Sequence, residues 1–168
     1  EWNGSSWTEV ADTTTARSHA GGGGTATAAL AVGGPQSPGN VVANEEWNGT
    51  GWTEVGDLNT AMSLSASNGT TTTMMVAGGM RAGESYETIC EQWNGTSWTE
   101  VADLNTGRDN AGGIGTGALF VADGGSTGGD PTYAAVNEEW NGSSWTEVAN
   151  LATPRQFYNS AGGSATSG

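Results

Sequence analysis

Lysine is absent from this 168-residue chain, cysteine and histidine occur once each, and charged residues make up only 13% of it. A lone Cys90 supports neither an intramolecular disulfide nor a cysteine-rich metal site. Eighteen acidic residues against four arginines give a net charge of −14. Such a surface repels phosphate backbones, so nucleic acid is not an expected partner. No run approaches the ~18 apolar residues of a membrane-spanning helix. No basic segment followed by an apolar one opens the chain at Glu1, so either a leader was removed or this is a segment of something longer. Leu, Ile, Val and Phe together number only 20, which with this charge falls in the range of disordered chains. Eight tryptophans argue the other way, because each can bury roughly 150–250 Å². Composition therefore leaves a disordered chain or a repetitive β protein.

The repeat decides between them. Residues 1–10 read E-W-N-G-S-S-W-T-E-V, residues 46–55 E-W-N-G-T-G-W-T-E-V, residues 92–101 Q-W-N-G-T-S-W-T-E-V, and residues 139–148 return to the first wording. Trp2, Trp47, Trp93 and Trp140 are spaced 45, 46 and 47 residues apart, and a Gly-Gly doublet follows each of the first three by 31 residues. A period of this length is the mark of a stacked repeat architecture. Asn-Gly between strand-forming residues is a strong hairpin signal. If Asn48-Gly49 is a two-residue loop, Trp47 pairs with Thr50 and Glu45 with Trp52. Strand alternation then puts Trp47, Trp52 and Glu54 on one face, and the same reasoning applies to Trp2 and Trp7, Trp93 and Trp98, and Trp140 and Trp145.

A turn-like stretch through Asp12, Asp57, Asp103 or Asn150 follows each hairpin. Next comes a Gly-, Ala-, Ser- and Thr-rich segment that ends in a short apolar run (28–32, 73–77, 119–122) and stops at the Gly doublet. No sustained helical stripe occurs, and glycine accounts for 29 residues. Each repeat is expected to hold four strands: a near residues 17–23, b the apolar run, c into the first Trp, and d out of the second.

Four strands per repeat, the Gly doublet after strand b and an aromatic 13 residues beyond its second glycine (Gly34 to Trp47) resemble the kelch repeat of β-propellers. A Trp in strand d adds to the likeness, which covers essentially the whole chain. The departures are Trp where kelch blades carry Tyr and a slightly narrower spacing of the two aromatics. The wording is also similar in style to repeat segments of phage tail-fibre-like and bacterial surface proteins. The resemblance implies an all-β propeller as one repeat domain. Residues 17–61, 62–107 and 108–154 would be blades, and residues 1–16 (strands c and d) with 155–168 (strand a and part of b) would share a closing blade. Ring closure would remove exposed strand edges. It would come from this chain alone, from two chains head to tail, or from further repeats.

The family's Arg after the turn stands here as Arg17, Arg108 and Arg155, with Met62 in the second copy. The expected role is an ion pair with a strand-d glutamate (Glu9, Glu100, Glu147), and the alternative is an anion site made by an arginine ring. Copy two implies that Arg108→Met is tolerated. His19 has no triad or metal-ligand spacing around it, and Gly21–Gly24 lacks the Lys of a phosphate loop. Glu45-Glu46 and Glu138-Glu139 point to opposite faces and are expected to be solvated. Five Asn-Gly-[ST] sequons, at Asn3, Asn48, Asn68, Asn94 and Asn141, are explained first by turn chemistry, with glycosylation the lesser alternative.

The b-to-c connections, 35–44, 80–90 and 126–137, differ in length at 10, 11 and 12 residues. Varied loops on a rigid scaffold suit recognition, so Tyr86, Tyr133, Arg81 and Asp130 are the candidate contact residues, beside Pro35, Pro38 and Pro131. No cofactor is expected. Asp123, Asp130, Glu84 and Glu87 offer oxygen ligands for Ca²⁺ but no ordered ligand pattern. Two functions follow: a non-enzymatic structural or adhesive module of an extracellular or virion surface that self-associates or belongs to a longer repeat chain, or a lectin-like propeller with one shallow site per blade. Burial of Trp2, Trp47, Trp93 and Trp140 would favour the first.

Overall fold

The computed structural model describes residues 1–36, 39–81, 86–128 and 133–156. Asp130, Glu84, Pro38, Pro131 and most of the expected 155–168 half-blade lie outside them. The described residues contain strands and turns and no helix, as their glycine content and lack of apolar periodicity require.

The first sheet is built from β1 (Gly21–Thr25), β2 (Ala28–Val32), β5 (Asn44–Trp47) and β6 (Trp52–Val55), with the small hairpin β3 (Pro35–Gln36) and β4 (Gly39–Asn40) between β2 and β5. The second holds β7 (Ala66–Thr70), β8 (Thr73–Ala77), β9 (Cys90–Trp93) and β10 (Trp98–Val101). The third holds β11 (Gly112–Gly115), β12 (Phe120–Asp123), β13 (Asn137–Trp140) and β14 (Trp145–Val148). Each is a blade-like antiparallel meander whose strands follow chain order. The b runs emerge where the apolar pattern places them, the third shifted by one residue. Strand a begins later than expected, at Gly21, because Arg17 belongs to the loop that enters the sheet.

The sheets meet through their first strands, and glycine makes this possible. A Cβ on Gly23 would lie 2.8 Å from the Gly69 backbone nitrogen, and one on Gly113 2.7 Å from that of Ser67. Gly22 N–H donates to Ser67 Oγ at 2.9 Å and Asn68 Nδ2 to the Gly113 carbonyl at 3.3 Å. Two cores fill the wedges outside these strands. Leu30, Val32, Leu58, Met62, Met74, Val76, Trp93 and Trp98 lie between sheets one and two. Met75, Cys90, Leu104, Phe120, Trp140 and Trp145, with small alanines, lie between two and three.

The hairpin register differs from expectation. Trp47 pairs with Trp52 and Glu45 with Glu54, so the loop has four residues and not two. Asn48 Oδ1 accepts the N–H of Thr50 at 2.9 Å and of Gly51 at 3.0 Å. That folds the tip as an Asx turn, with positive φ at Gly49 (92°) and not at the asparagine. Asn3, Asn94 and Asn141 repeat the arrangement. The slip is two residues, so every side chain keeps its face. The indoles become direct cross-strand partners, with ring centroids 5.4–5.7 Å apart and planes tilted by 42–46°.

Candidate functional site

Each sheet has two ends. At one end the c–d tips sit beside the a–b turns, and the indole of strand c ties the two together. Trp47, Trp93 and Trp140 donate Nε1–H to the carbonyls of Ala26, Thr71 and Gly117 at 2.9, 2.9 and 3.1 Å. All three are buried, as are Trp98 and Trp145. Trp145 reaches the preceding sheet, donating to the Ala102 carbonyl at 2.9 Å. Trp98 Nε1 finds no acceptor, and the equivalent Gly56 carbonyl accepts Asn44 Nδ2 at 2.9 Å. Cys90 replaces that asparagine in sheet two and leaves Ala102 to Trp145. The terminal hairpin is the exception: Trp2 is 50% and Trp7 78% exposed. With Val10, Thr25, Ala26, Trp47 and Trp52 they line an open groove of about 360 Å³.

The opposite end carries the Gly doublets, the loops into strand a and the b–c connections. There the expected ion pairs form with different partners. Arg17 Nη2 meets Glu45 Oε1 at 2.7 Å and Arg108 Nη2 meets Glu138 Oε1 at 2.6 Å, all four side chains at most 5% exposed. The strand-d residues Glu9, Glu100 and Glu147 are exposed. Strand c supplies the acid because its inward face, shared with Trp47, looks onto the loop where the arginine sits. Solvation of Glu45 and Glu138 is thus also corrected: of each adjacent acidic pair, one member is wholly buried. The anion-ring alternative fails for Arg17 and Arg108, whose charges are spent inside their own sheets.

The buried glutamate binds backbone as well. Glu45 accepts from Thr14 N–H at 2.6 Å, Thr14 Oγ1 at 2.9 Å and Thr15 N–H at 3.0 Å. Burial pushes the Glu45 carboxyl up, but these donors and Arg17 outweigh it and hold it below the usual value. Glu91, at the same position, accepts from Asn59 N–H and Nδ2, both at 2.9 Å, and from Thr60 N–H at 2.8 Å. It has Met62 in place of an arginine, so the loop N–H pair is the constant part of the device. Arg108 also donates to the carbonyls of Gly124 (3.2 Å) and Val136 (2.6 Å). The second glycine of each doublet links neighbouring repeats: Gly34, Gly79 and Gly125 N–H donate to the carbonyls of Met62, Arg108 and Arg155. A Cβ on Gly79 would sit 2.6 Å from the Ser63 carbonyl, so nothing larger fits.

Sequence reasoning missed these glutamates, although the signal was present. An acid stands two residues before Trp in every complete copy, on the face of a Trp that must be buried. It also missed that His19, Leu64 and Asn110 share one repeat position and a left-handed backbone (φ 47°, 56° and 51°). Leu64 N–H bonds the His19 carbonyl and Asn110 N–H the Leu64 carbonyl, a belt of backbone bonds from sheet to sheet.

Each b–c connection rests on a small β base. Ser63 bridges to Met80 and Met80 to Tyr86; Asp109 bridges to Ser126 and Ser126 to Tyr133. Tyr86 and Tyr133 therefore occupy equivalent stations in adjacent sheets, matching Asn40 in the first. Tyr133 is 45% exposed, Tyr86 half-buried, and Arg81 exposed with Nε 3.5 Å from Glu87 Oε1. Asp109 and Asn110 lie beside this base. Asn110 Nδ2 donates to Asp109 Oδ2 at 2.8 Å, while the Oδ1 atoms of both are buried without a partner. Burial pushes the carboxyls of Asp109 and Asp123 up. Among the described residues no three His, Cys, Asp or Glu side chains cluster as a metal site, and no helix is long and apolar enough to cross a membrane.

No family model and no curated protein matches the sequence. Among solved structures the chain is similar to one titled "Structure of YjhT", with a TM-score of 0.65 over 82% of this chain at 15% identity. The chain spans 47% of that protein's length. At this identity the likeness speaks for the fold alone: all-β, in sheets of four antiparallel strands, consistent with a β-propeller-like arrangement.

Proposed function

We propose that the chain is a kelch-like β-propeller repeat module, non-enzymatic and structural or adhesive, of an extracellular or virion surface. It meets protein or glycan through the b–c loops. One observation carries this reading: the arginines and glutamates that the repeat holds in common are consumed internally. Arg17, Arg108, Glu45, Glu91 and Glu138 hold the loops, and Trp93, Trp98, Trp140 and Trp145 fill the wedges, while the β bases carry Tyr86 and Tyr133 at matched stations. Tyrosine suits such a surface because it offers a rigid stacking face and a polar tip. Successive four-stranded sheets joined through close-packed first strands support this reading, since propeller blades are such sheets.

The test is binding of the fluorescently labelled chain to glycan arrays and to surface-protein panels, compared with Tyr86→Ala/Tyr133→Ala. A fall in affinity of about tenfold or more supports the reading, since recognition energy concentrates in aromatic anchors; unchanged binding overturns it. The open groove of Trp2, Trp7, Trp47 and Trp52 favours a second reading, a lectin-like site at the opposite end. In that case Trp7→Ala, and not the tyrosine pair, abolishes binding.

A further inference from the structure

Where sheet two meets sheet three, the loop that enters β11 holds two neighbouring side chains whose hydrogen bonds do not balance. Asp109 is 4% and Asn110 8% exposed. Asn110 Nδ2 donates to Asp109 Oδ2 at 2.8 Å, and the Oδ1 atom of each is buried without a partner. Both orphans are acceptors, so what the pair lacks is a donor. The equivalent stations in the first two copies carry Ser18-His19 and Ser63-Leu64, so neither the acid nor the amide is a general feature of the repeat. The backbone at this point is a joint. Asp109 N–H donates to the Ser126 carbonyl at 3.0 Å and Ser126 N–H to the Asp109 carbonyl at 2.8 Å, while Asn110 N–H donates to the Leu64 carbonyl of sheet two at 2.8 Å. Ser126 in turn bridges to Tyr133. The pair therefore sits where the sheet-to-sheet belt and the base under Tyr133 share one strand.

We infer that Asp109 and Asn110 form an acid–amide pair closed by one proton, with Asp109 Oδ1–H donating to Asn110 Oδ1 while Asn110 Nδ2–H donates to Asp109 Oδ2. A single proton accounts for both orphans, since it turns one acceptor into a donor for the other. It also removes a desolvated charge that nothing nearby neutralises. The adjacent Arg108 guanidinium is engaged by Glu138 and by the carbonyls of Thr106, Gly124 and Val136. The other ionisable groups on the elements packed here are Asp123 at the end of β12, Tyr133 across the base, Tyr86 and the Arg81–Glu87 pair on the connection of sheet two, and His19 two belt steps away. Among the described residues none of these bonds the Asp109 carboxyl. Burial pushes that carboxyl up, the direction the pair requires. The proton is held below the folded value and lost as pH rises through it. A bare carboxylate then faces an amide carbonyl, and the joint loosens. Control of Tyr133 by pH rests on the b–c loops being the recognition surface; the acid–amide pair itself does not.

The experiment follows the Asp109 carboxyl carbon of the ¹³C,¹⁵N-labelled chain through a pH titration, its signal identified by its loss in Asp109→Asn. The Asn110 side-chain amide and the backbone N–H groups of Asn110 and Ser126 are followed with it. Asp109 is expected to titrate above the ordinary aspartate value, with the Asn110 amide moving at the same midpoint. Hydrogen exchange at the Asn110 and Ser126 N–H groups should rise across that midpoint by about tenfold relative to the β8 amides, as a newly unsatisfied buried group demands. Asn110→Gly keeps the left-handed backbone and removes the amide, so the Asp109 midpoint should fall back toward the ordinary value. Asp109→Asn should abolish the step in exchange. An Asp109 midpoint at or below the ordinary value, an Asn110 amide indifferent to it, or signals moved by Ca²⁺ at constant pH overturns the inference. A pair that titrates as expected beside glycan and protein binding that ignores pH overturns the link to Tyr133 and leaves the pair standing, whereas the Tyr86→Ala/Tyr133→Ala result bears on recognition alone.

Discussion

Replacing Arg108 by methionine and Glu138 by alanine should differ sharply in cost, although the two residues form one buried ion pair. Arg108 donates to the carbonyls of Thr106 (3.2 Å), Gly124 (3.2 Å) and Val136 (2.6 Å) and to Glu138 Oε1 (2.6 Å). Without it, Val136 still receives Gly124 N–H at 3.1 Å. Glu138 still receives Asn105 N–H, Asn105 Nδ2 and Thr106 N–H at 2.7, 2.8 and 3.1 Å, the same donor set that holds Glu91. Methionine is sterically suited, since Met62 occupies this position in sheet two at 2% exposure. What remain are under-satisfied Gly124 and Thr106 carbonyls, a loss of roughly 1–2 kcal/mol after apolar packing offsets part of it. Glu138→Ala instead leaves a wholly buried guanidinium and the Asn105 and Thr106 donors unpaired, about 3–5 kcal/mol. At roughly 2–4 °C per kcal/mol for a domain this size, thermal melts followed by circular dichroism should show losses of about 2–8 °C and 6–20 °C. A methionine variant as damaged as the alanine variant would refute the idea that the loop N–H pair, and not the arginine, is the core of the lock.

Other consequences follow from the same geometry. Asp109 is raised by burial, so its folded form holds a proton more tightly than the unfolded one. The stability this confers is complete below the ordinary aspartate value and is lost as pH rises through the folded value. Asp109→Asn should therefore gain on the parent in urea melts as pH rises from about 4 to 7, and a constant difference would count against it. Glu45 is lowered, so its contribution is present above the ordinary glutamate value and falls away as pH drops through the folded value. Glu45→Gln should accordingly lose its disadvantage in acid. The Cys90 thiol is buried and pushed up to about 12 by desolvation. It should resist a disulfide reagent at pH 8 until denaturant is added, and prompt labelling of the native chain would contradict its placement. Trp93→Ala should cost about 3–5 kcal/mol, whereas Trp7→Ala should stay within about 0.5; similar urea midpoints for the two would be inconsistent with the wedge packing.

The sequence was sufficient for whatever depends on local pattern. Repeat length, the b runs, the Trp-bearing hairpins and the absence of helix among the described residues follow from alternation, from glycine and from Asn-Gly, because these act within a few residues of one another. Even the misplaced hairpin register kept every side chain on its correct face, since the two-residue slip preserves strand parity. Tertiary structure decided which glutamate pairs with Arg17 and Arg108. The two lie 28 and 30 residues apart along the chain, and only sheet assembly brings strand c over the entry loop. It likewise decided that the Gly doublet serves as the join to the next repeat's carbonyl, and that Tyr86 and Tyr133 share one station. Adjacent acids look alike in a sequence. The sheet buries one and leaves the other toward solvent, because a wholly desolvated carboxylate persists only where neighbouring backbone has already aimed its N–H groups.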